Sequence, residues 1–158
     1  MTRGTTIFLK ISLILFGIIV ISLSLFALPR LARDAVESFP EFSYLQYPVL
    51  VGVNGTVVPF VMALVQAYQL LQLIEEKTAF SERAVELLRK IKYNALIIVG
   101  VYVIGMVVLM TQSALHPGVA LMGLSIIFAS LIISVFSTVL QELLKKATEI
   151  KTENDLTV

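Results

Sequence analysis

Chemistry in this chain can come from only a few side chains, most of them carboxamides and hydroxyls set in apolar surroundings. Asn54, Gln66, Gln69 and Gln72 share one uncharged stretch with Gly55, Thr56 and Pro59. At 100° per residue the three Gln occupy one broad helical face. Carboxamides on such a face can bond neighbouring helices or line a hydrated groove, a ligand pocket or a conduction path. Ser130, Ser134 and Ser137, followed by Gln141, recur at intervals of four, three and four, which places them on a single stripe. Small residues so spaced allow close helix approach, and their hydroxyls can bond across the interface or back to their own helix. His116 is the one histidine and there is no cysteine. One imidazole cannot assemble a zinc or haem site, and no thiol pair is present for disulfide exchange. No acid–base pair is expected within the apolar segments, so the chain reads as a non-enzyme without a cofactor. Met62, Met106, Met110 and Met122 read as apolar gap-fillers.

The elements that position these groups follow from the distribution of charge. The 158 residues are 58% hydrophobic and 15% charged, with a net charge of +1 and a mean hydropathy of +0.93. A soluble domain is about 45–50% apolar and roughly 25% charged. No Asp, Glu, Lys or Arg occurs from Ile11 to Pro29 (19 residues), Phe42 to Ile74 (33) or Tyr93 to Gln141 (49). Crossing a hydrocarbon core takes about 20 apolar residues. The first run therefore holds one span, about 11–28, stopped by Pro29 and Arg30. The second holds one long span, about 49–73, opened by Pro48, anchored near Tyr44 and Tyr47, and open to a kink at Pro59. The third is long enough for two, about 93–110 and 118–140, with His116-Pro117-Gly118 as the turn signal. His116 reads as an ordinary turn residue rather than a pH sensor. The fold class expected is all-α: a polytopic membrane protein in which residues 1–158 form one four-helix transmembrane domain.

A cleaved secretory signal is the rival for the first span. Its apolar stretch is too long for one, and Ala27-Leu28-Pro29 is a poor cleavage site. A β-barrel is excluded by the absence of strict alternation. With both termini cytoplasmic, Arg3, Lys10, five basic residues between Lys77 and Lys92, and Lys145, Lys146 and Lys151 lie inside. Only Arg30 and Arg33 lie outside, as the positive-inside rule prefers. Asn54-Gly55-Thr56 matches a glycosylation pattern but falls too close to the membrane to count as one.

Two cytoplasmic segments remain, the loop 75–92 and the tail 141–158. Ser81 is a good helix N-cap, Glu82 suits the positive end of the helix dipole, and Phe80 with Val85 occupy staple positions. Val85, Leu88 and Ile91, flanked by Arg89, Lys90 and Lys92, form an amphipathic face. A short amphipathic helix is expected, lying at the inner interface or running into the third span, with docking of a protein as the other reading of that face. Glu75, Glu76, Glu82 and Glu86 interrupt the basic patch, so direct nucleic-acid binding is not expected. The tail continues the fourth span, with Glu142 and Lys146 well placed to pair. Glu153-Asn154-Asp155 is then expected to break the helix, leaving Leu156-Thr157-Val158 extended, frayed, folded back or bound to a partner.

Phe80-Ser81, the Leu88-Arg89-Lys90-Ile91 block and the ending Glu153-Asn154-Asp155-Leu156-Thr157-Val158 together make the chain resemble a bacterial four-helix membrane family, domain of unknown function 2975. The four-span layout covers nearly all of the chain. It departs from the family pattern at Glu82-Arg83, where that pattern has a Glu-Asn pair. The resemblance implies a bacterial inner-membrane protein without an established enzymatic activity. It also implies a gene neighbour encoding a small helix-turn-helix regulator that the membrane protein restrains or informs. On that reading Phe80, Ser81, Leu88, Arg89, Ile91, Asn154, Asp155, Leu156 and Thr157 are the partner-binding residues. The alternatives are a transport component with a polar path along the second span, past Asn54, Gln66 and Gln69, and a structural subunit of a larger membrane complex. The bilayer is the first partner expected, with a membrane-protein partner or a homo-oligomer beside it.

Overall fold

The computed structural model describes residues 2–157, and helices account for nearly all of them, with no strand among the described residues. Helix α1 (Arg3–Ser22) passes through a π-helical turn (Leu23–Ala27) into α2 (Leu28–Ser38). A 3-10 segment (Pro40–Leu45) leads into α3 (Gln46–Glu75), then α4 (Glu82–Thr111) and α5 (Pro117–Leu156). Four helical stretches are long and apolar enough to cross a membrane: Arg3–Ser38, Pro40–Glu75, Glu82–Thr111 and Pro117–Leu156.

Pro29 does not end the first helix, contrary to expectation. The turn before it widens instead, and the Leu28 N–H donates to the Leu23 carbonyl five residues back. A proline inside an α-helix removes a hydrogen bond and presses its ring on the carbonyl four residues earlier. One π-helical turn relieves both and lets the helix continue to Ser38. The C-terminal break is likewise absent: α5 runs through Glu153, Asn154 and Asp155 to Leu156, while Val158 lies outside the described residues. Each of these residues costs only a few tenths of a kcal/mol relative to Ala, and extending an existing helix needs no new nucleus. The Thr157 hydroxyl then takes up the Asn154 carbonyl at 2.8 Å. The pairing expected of Glu142 and Lys146 does not form; among the described residues the ion pairs are Lys10–Glu75 and Glu86–Lys90.

The two tight connections share one device. Lys77 and Ser113 take positive φ (59° and 54°) just after α3 and α4. Behind Lys77, the Thr78 N–H reaches the Leu73 carbonyl (2.8 Å) and the Lys77 N–H that of Ile74 (3.2 Å). Ala114 and Ser113 repeat the pattern on Leu109 and Met110. These are Schellman closures made without glycine. The helices that follow are capped by side chains. Ser81 Oγ accepts from the Ala84 N–H at 3.3 Å, and His116 Nδ1 accepts from the Gly118 N–H at 3.0 Å, with Pro117 in the first turn.

The amphipathic segment of the central loop is therefore the opening of α4 itself. Its apolar face meets protein: Ala84, Val85, Leu87, Leu88 and Ile91 are buried, and with Ala95 and Ile98 they make up nearly all of the buried apolar core. This follows from position. Among the described residues α1 packs on α3, α3 on α4, and α4 on α5, while α1 reaches neither α4 nor α5. The helices form an open row rather than a closed bundle. Among the described residues only α3 and α4 have helices on two sides, and the exposed Ile, Leu, Val and Phe within the apolar spans are on surfaces suited to lipid.

Candidate functional site

The α1–α3 and α3–α4 seams carry polar links, while among the described residues no side-chain hydrogen bond or ion pair crosses from α4 to α5. Between α1 and α3, Ser24 on the π-helical turn donates to Asn54 Oδ1 at 2.5 Å. Phe16 meets Phe60 edge-on, 5.5 Å between ring centres. At the end of that seam Lys10 Nζ sits 2.6 Å from Glu75 Oε2 and 5.0 Å from the centre of the Tyr68 ring. Between α3 and α4, Asn94 Nδ2 donates to Gln66 Oε1 at 2.8 Å, with both residues buried. At the opposite end of the molecule the Tyr44 hydroxyl donates to Gln112 Oε1 at 2.8 Å. Groups of this kind are buried at low cost only when paired, and the buried or part-buried links Asn94–Gln66 and Ser24–Asn54 are of a type that contributes about 0.6–2 kcal/mol in a membrane.

Ser130, Ser134 and Ser137 are all buried on the face of α5 turned to α4. Gly123 continues that face, and a Cβ there would come within 2.8 Å of Met106 Sδ. The seam is close because these residues are small. Thr56 is buried too, but its hydroxyl turns back to the Val53 carbonyl at 2.6 Å. Asn54 and Gln66 are thus engaged by other helices. Gln69 is not: it lines a shallow groove of about 240 Å³ with Val61, Met62, Val65, Gln66 and Lys90. Among the described residues no three His, Asp or Glu side chains converge as a metal site would require.

The proposed docking residues fall into three groups. Phe80 is 54% exposed, Arg89 is exposed and Ser81 is spent on capping α4. Leu88 and Ile91 are buried, so they support the start of α4 rather than offering a surface. Asn154, Asp155, Leu156 and Thr157 form the exposed end of α5. Among the described residues no hydrogen bond or ion pair joins them to Phe80–Ser81. At the opening of α4, Glu82, Val85, Glu86 and Arg89 face Lys145, Thr148 and Glu149 of α5 across a cleft of about 350 Å³.

Several of these links escape a reading of sequence alone. Ser24, Asn94, Gln112 and the Lys10–Glu75 pair carry no motif. One signal for Asn94 does exist: Phe80 lies midway between Gln66 and Asn94 in the chain, so an antiparallel hairpin turning there brings the two carboxamides level.

A family model described as "Protein of unknown function (DUF2975)" matches residues 30–158, from α2 onward. The chain is 47% identical over 160 residues to the "Uncharacterized membrane protein YoaS" of Bacillus subtilis (strain 168), an alignment covering 100% of both chains. No solved structure matches.

Proposed function

The chain belongs to the family described as Protein of unknown function (DUF2975), and from that premise we propose that it is a non-enzymatic accessory protein that docks a cytoplasmic regulator at the membrane. Both termini lie in the cytoplasm on this reading, and the membrane is the bacterial inner membrane. The docking end is the one where α4 begins and α5 overhangs. Its partner is a small helix-turn-helix protein of the kind the family resemblance implies.

The observation that carries this reading is the length of α5. Its 40 residues extend about 60 Å, roughly twice a hydrocarbon core. The last turns therefore stand beyond the bilayer as a helical arm ending in Asn154, Asp155 and Leu156, with Leu156 82% exposed. On this reading Leu156, exposed at the end of a charged helix, is a contact residue for the partner. Within the membrane, Asn54 and Gln66 are engaged in helix pairing, which favours packing over a conduction path.

Crosslinking the intact protein in its native membrane, with the neighbouring regulator tagged, tests the proposal. Phe80→Ala and a paired Asp155→Ala, Leu156→Ala change are expected to abolish regulator capture at unchanged membrane levels. Intact protein that neither captures the regulator nor alters its membrane recruitment overturns it.

A further inference from the structure

The groove between α3 and α4 has a graded lining. The Asn94–Gln66 bond sets the register of the two antiparallel helices, and it brings Lys90 level with Gln69. Val61 and Met62 lie about 12 Å further along α3, toward the middle of its span. The groove therefore runs from apolar walls at Val61, Met62 and Val65 to polar ones at Gln66, Gln69 and Lys90. It opens sideways, where Met62 and Val65 remain about half exposed (49% and 50%). This gradient follows that of a membrane lipid, from chain to headgroup.

The polar end is rich in donors. Gln66 Oε1 is already taken by Asn94, which leaves the N–H groups of its carboxamide. Gln69 adds two N–H donors and Lys90 three, with a positive charge. Among the described residues Lys90 is the only charged one lining the groove. Glu86 lies 3.3 Å from Lys90 Nζ, but both side chains are more than half exposed, 57% and 53%. Glu86 borders the other cleft, toward α5. An exposed pair of this kind contributes little, so the ammonium is free to exchange Glu86 for a phosphate.

We propose that this groove is a phospholipid site in the leaflet on the Glu75 side of the protein. One acyl chain lies along Val61, Met62 and Val65, and Lys90 with Gln69 holds the headgroup phosphate. Anionic headgroups are preferred, because the groove presents one cation and no anion of its own. The site does not depend on whether a regulator docks at the end of the molecule.

The test is native mass spectrometry of the full chain after reconstitution in equal amounts of dioleoylphosphatidylglycerol and dioleoylphosphatidylcholine. The intact protein is expected to retain one phospholipid per chain, with a roughly fivefold preference for phosphatidylglycerol, the effect of one basic residue near the surface. Lys90→Gln is expected to remove the preference. Lys146→Gln, the same charge change on exposed α5 outside the groove, is expected to keep it. Val65→Phe fills the groove and is expected to lower retention of both lipids, with thermal unfolding in detergent reporting that each variant folds. Retention without headgroup preference overturns the proposal. So does equal loss from Lys90→Gln and Lys146→Gln, unchanged retention in Val65→Phe, or a dimer that carries no lipid.

Discussion

Asn94 Nδ2 donates to Gln66 Oε1 at 2.8 Å across 28 residues of sequence, and neither side chain reaches solvent or lipid to an appreciable extent. This bond sets the register of α3 against α4, and α4 in turn is the helix against which α5 packs. Replacing either partner with Leu is expected to destabilise the protein by about 1–2 kcal/mol, since the remaining carboxamide is left unpaired. The double variant Gln66→Leu, Asn94→Leu should cost less than the sum of the two. A double-mutant cycle by thermal or denaturant unfolding in detergent measures the coupling, and strict additivity would remove the bond from the account.

The serine stripe of α5 owes its role to size. Ser134 is buried against α4, whereas Ser125 on the same helix is exposed. Ser134→Leu is expected to lower stability by about 1–3 kcal/mol through overpacking. Ser125→Leu, facing lipid, should be close to neutral. Equal effects in unfolding experiments would contradict the assignment of faces.

Ser81 supplies the side-chain cap of a helix whose first turns hold most of the buried apolar core. Ser81→Ala should cost about 0.5–2 kcal/mol, and Ser81→Asp should recover most of it. Hydrogen exchange at the amides of Ala84 and Val85 would locate the loss.

The positive φ of 54° at Ser113 holds a non-glycine residue in the left-handed region. Ser113→Gly is expected to stabilise the protein by about 0.5–1 kcal/mol, the relief of that backbone strain exceeding the added freedom of the unfolded chain. A lower melting temperature in this variant would argue against the Schellman closure.

The absence of native cysteine allows topology to be read directly. In intact cells, Glu41→Cys should react with a membrane-impermeant maleimide, and Glu76→Cys only after permeabilisation. The reverse pattern would invert the orientation and remove the cytoplasmic docking proposal with it.

Sequence alone determined the number of membrane-crossing helices, because charge is so costly in hydrocarbon that long uncharged runs have few other uses. It also determined where α4 starts, since a cap at Ser81 is a local matter of one hydroxyl and nearby N–H groups. The path through Pro29 and the persistence of α5 past Asp155 were not legible. Both depend on small balances, a widened turn against a lost bond and helix extension against weak propensity. The open row of helices, the burial of Leu88 and Ile91 against protein, and the pairing of Gln66 with Asn94 were decided by tertiary structure. Each depends on the rotation and register of one helix against another. Apolar runs leave both undefined, because a lipid-facing side and a helix-facing side are equally hydrophobic.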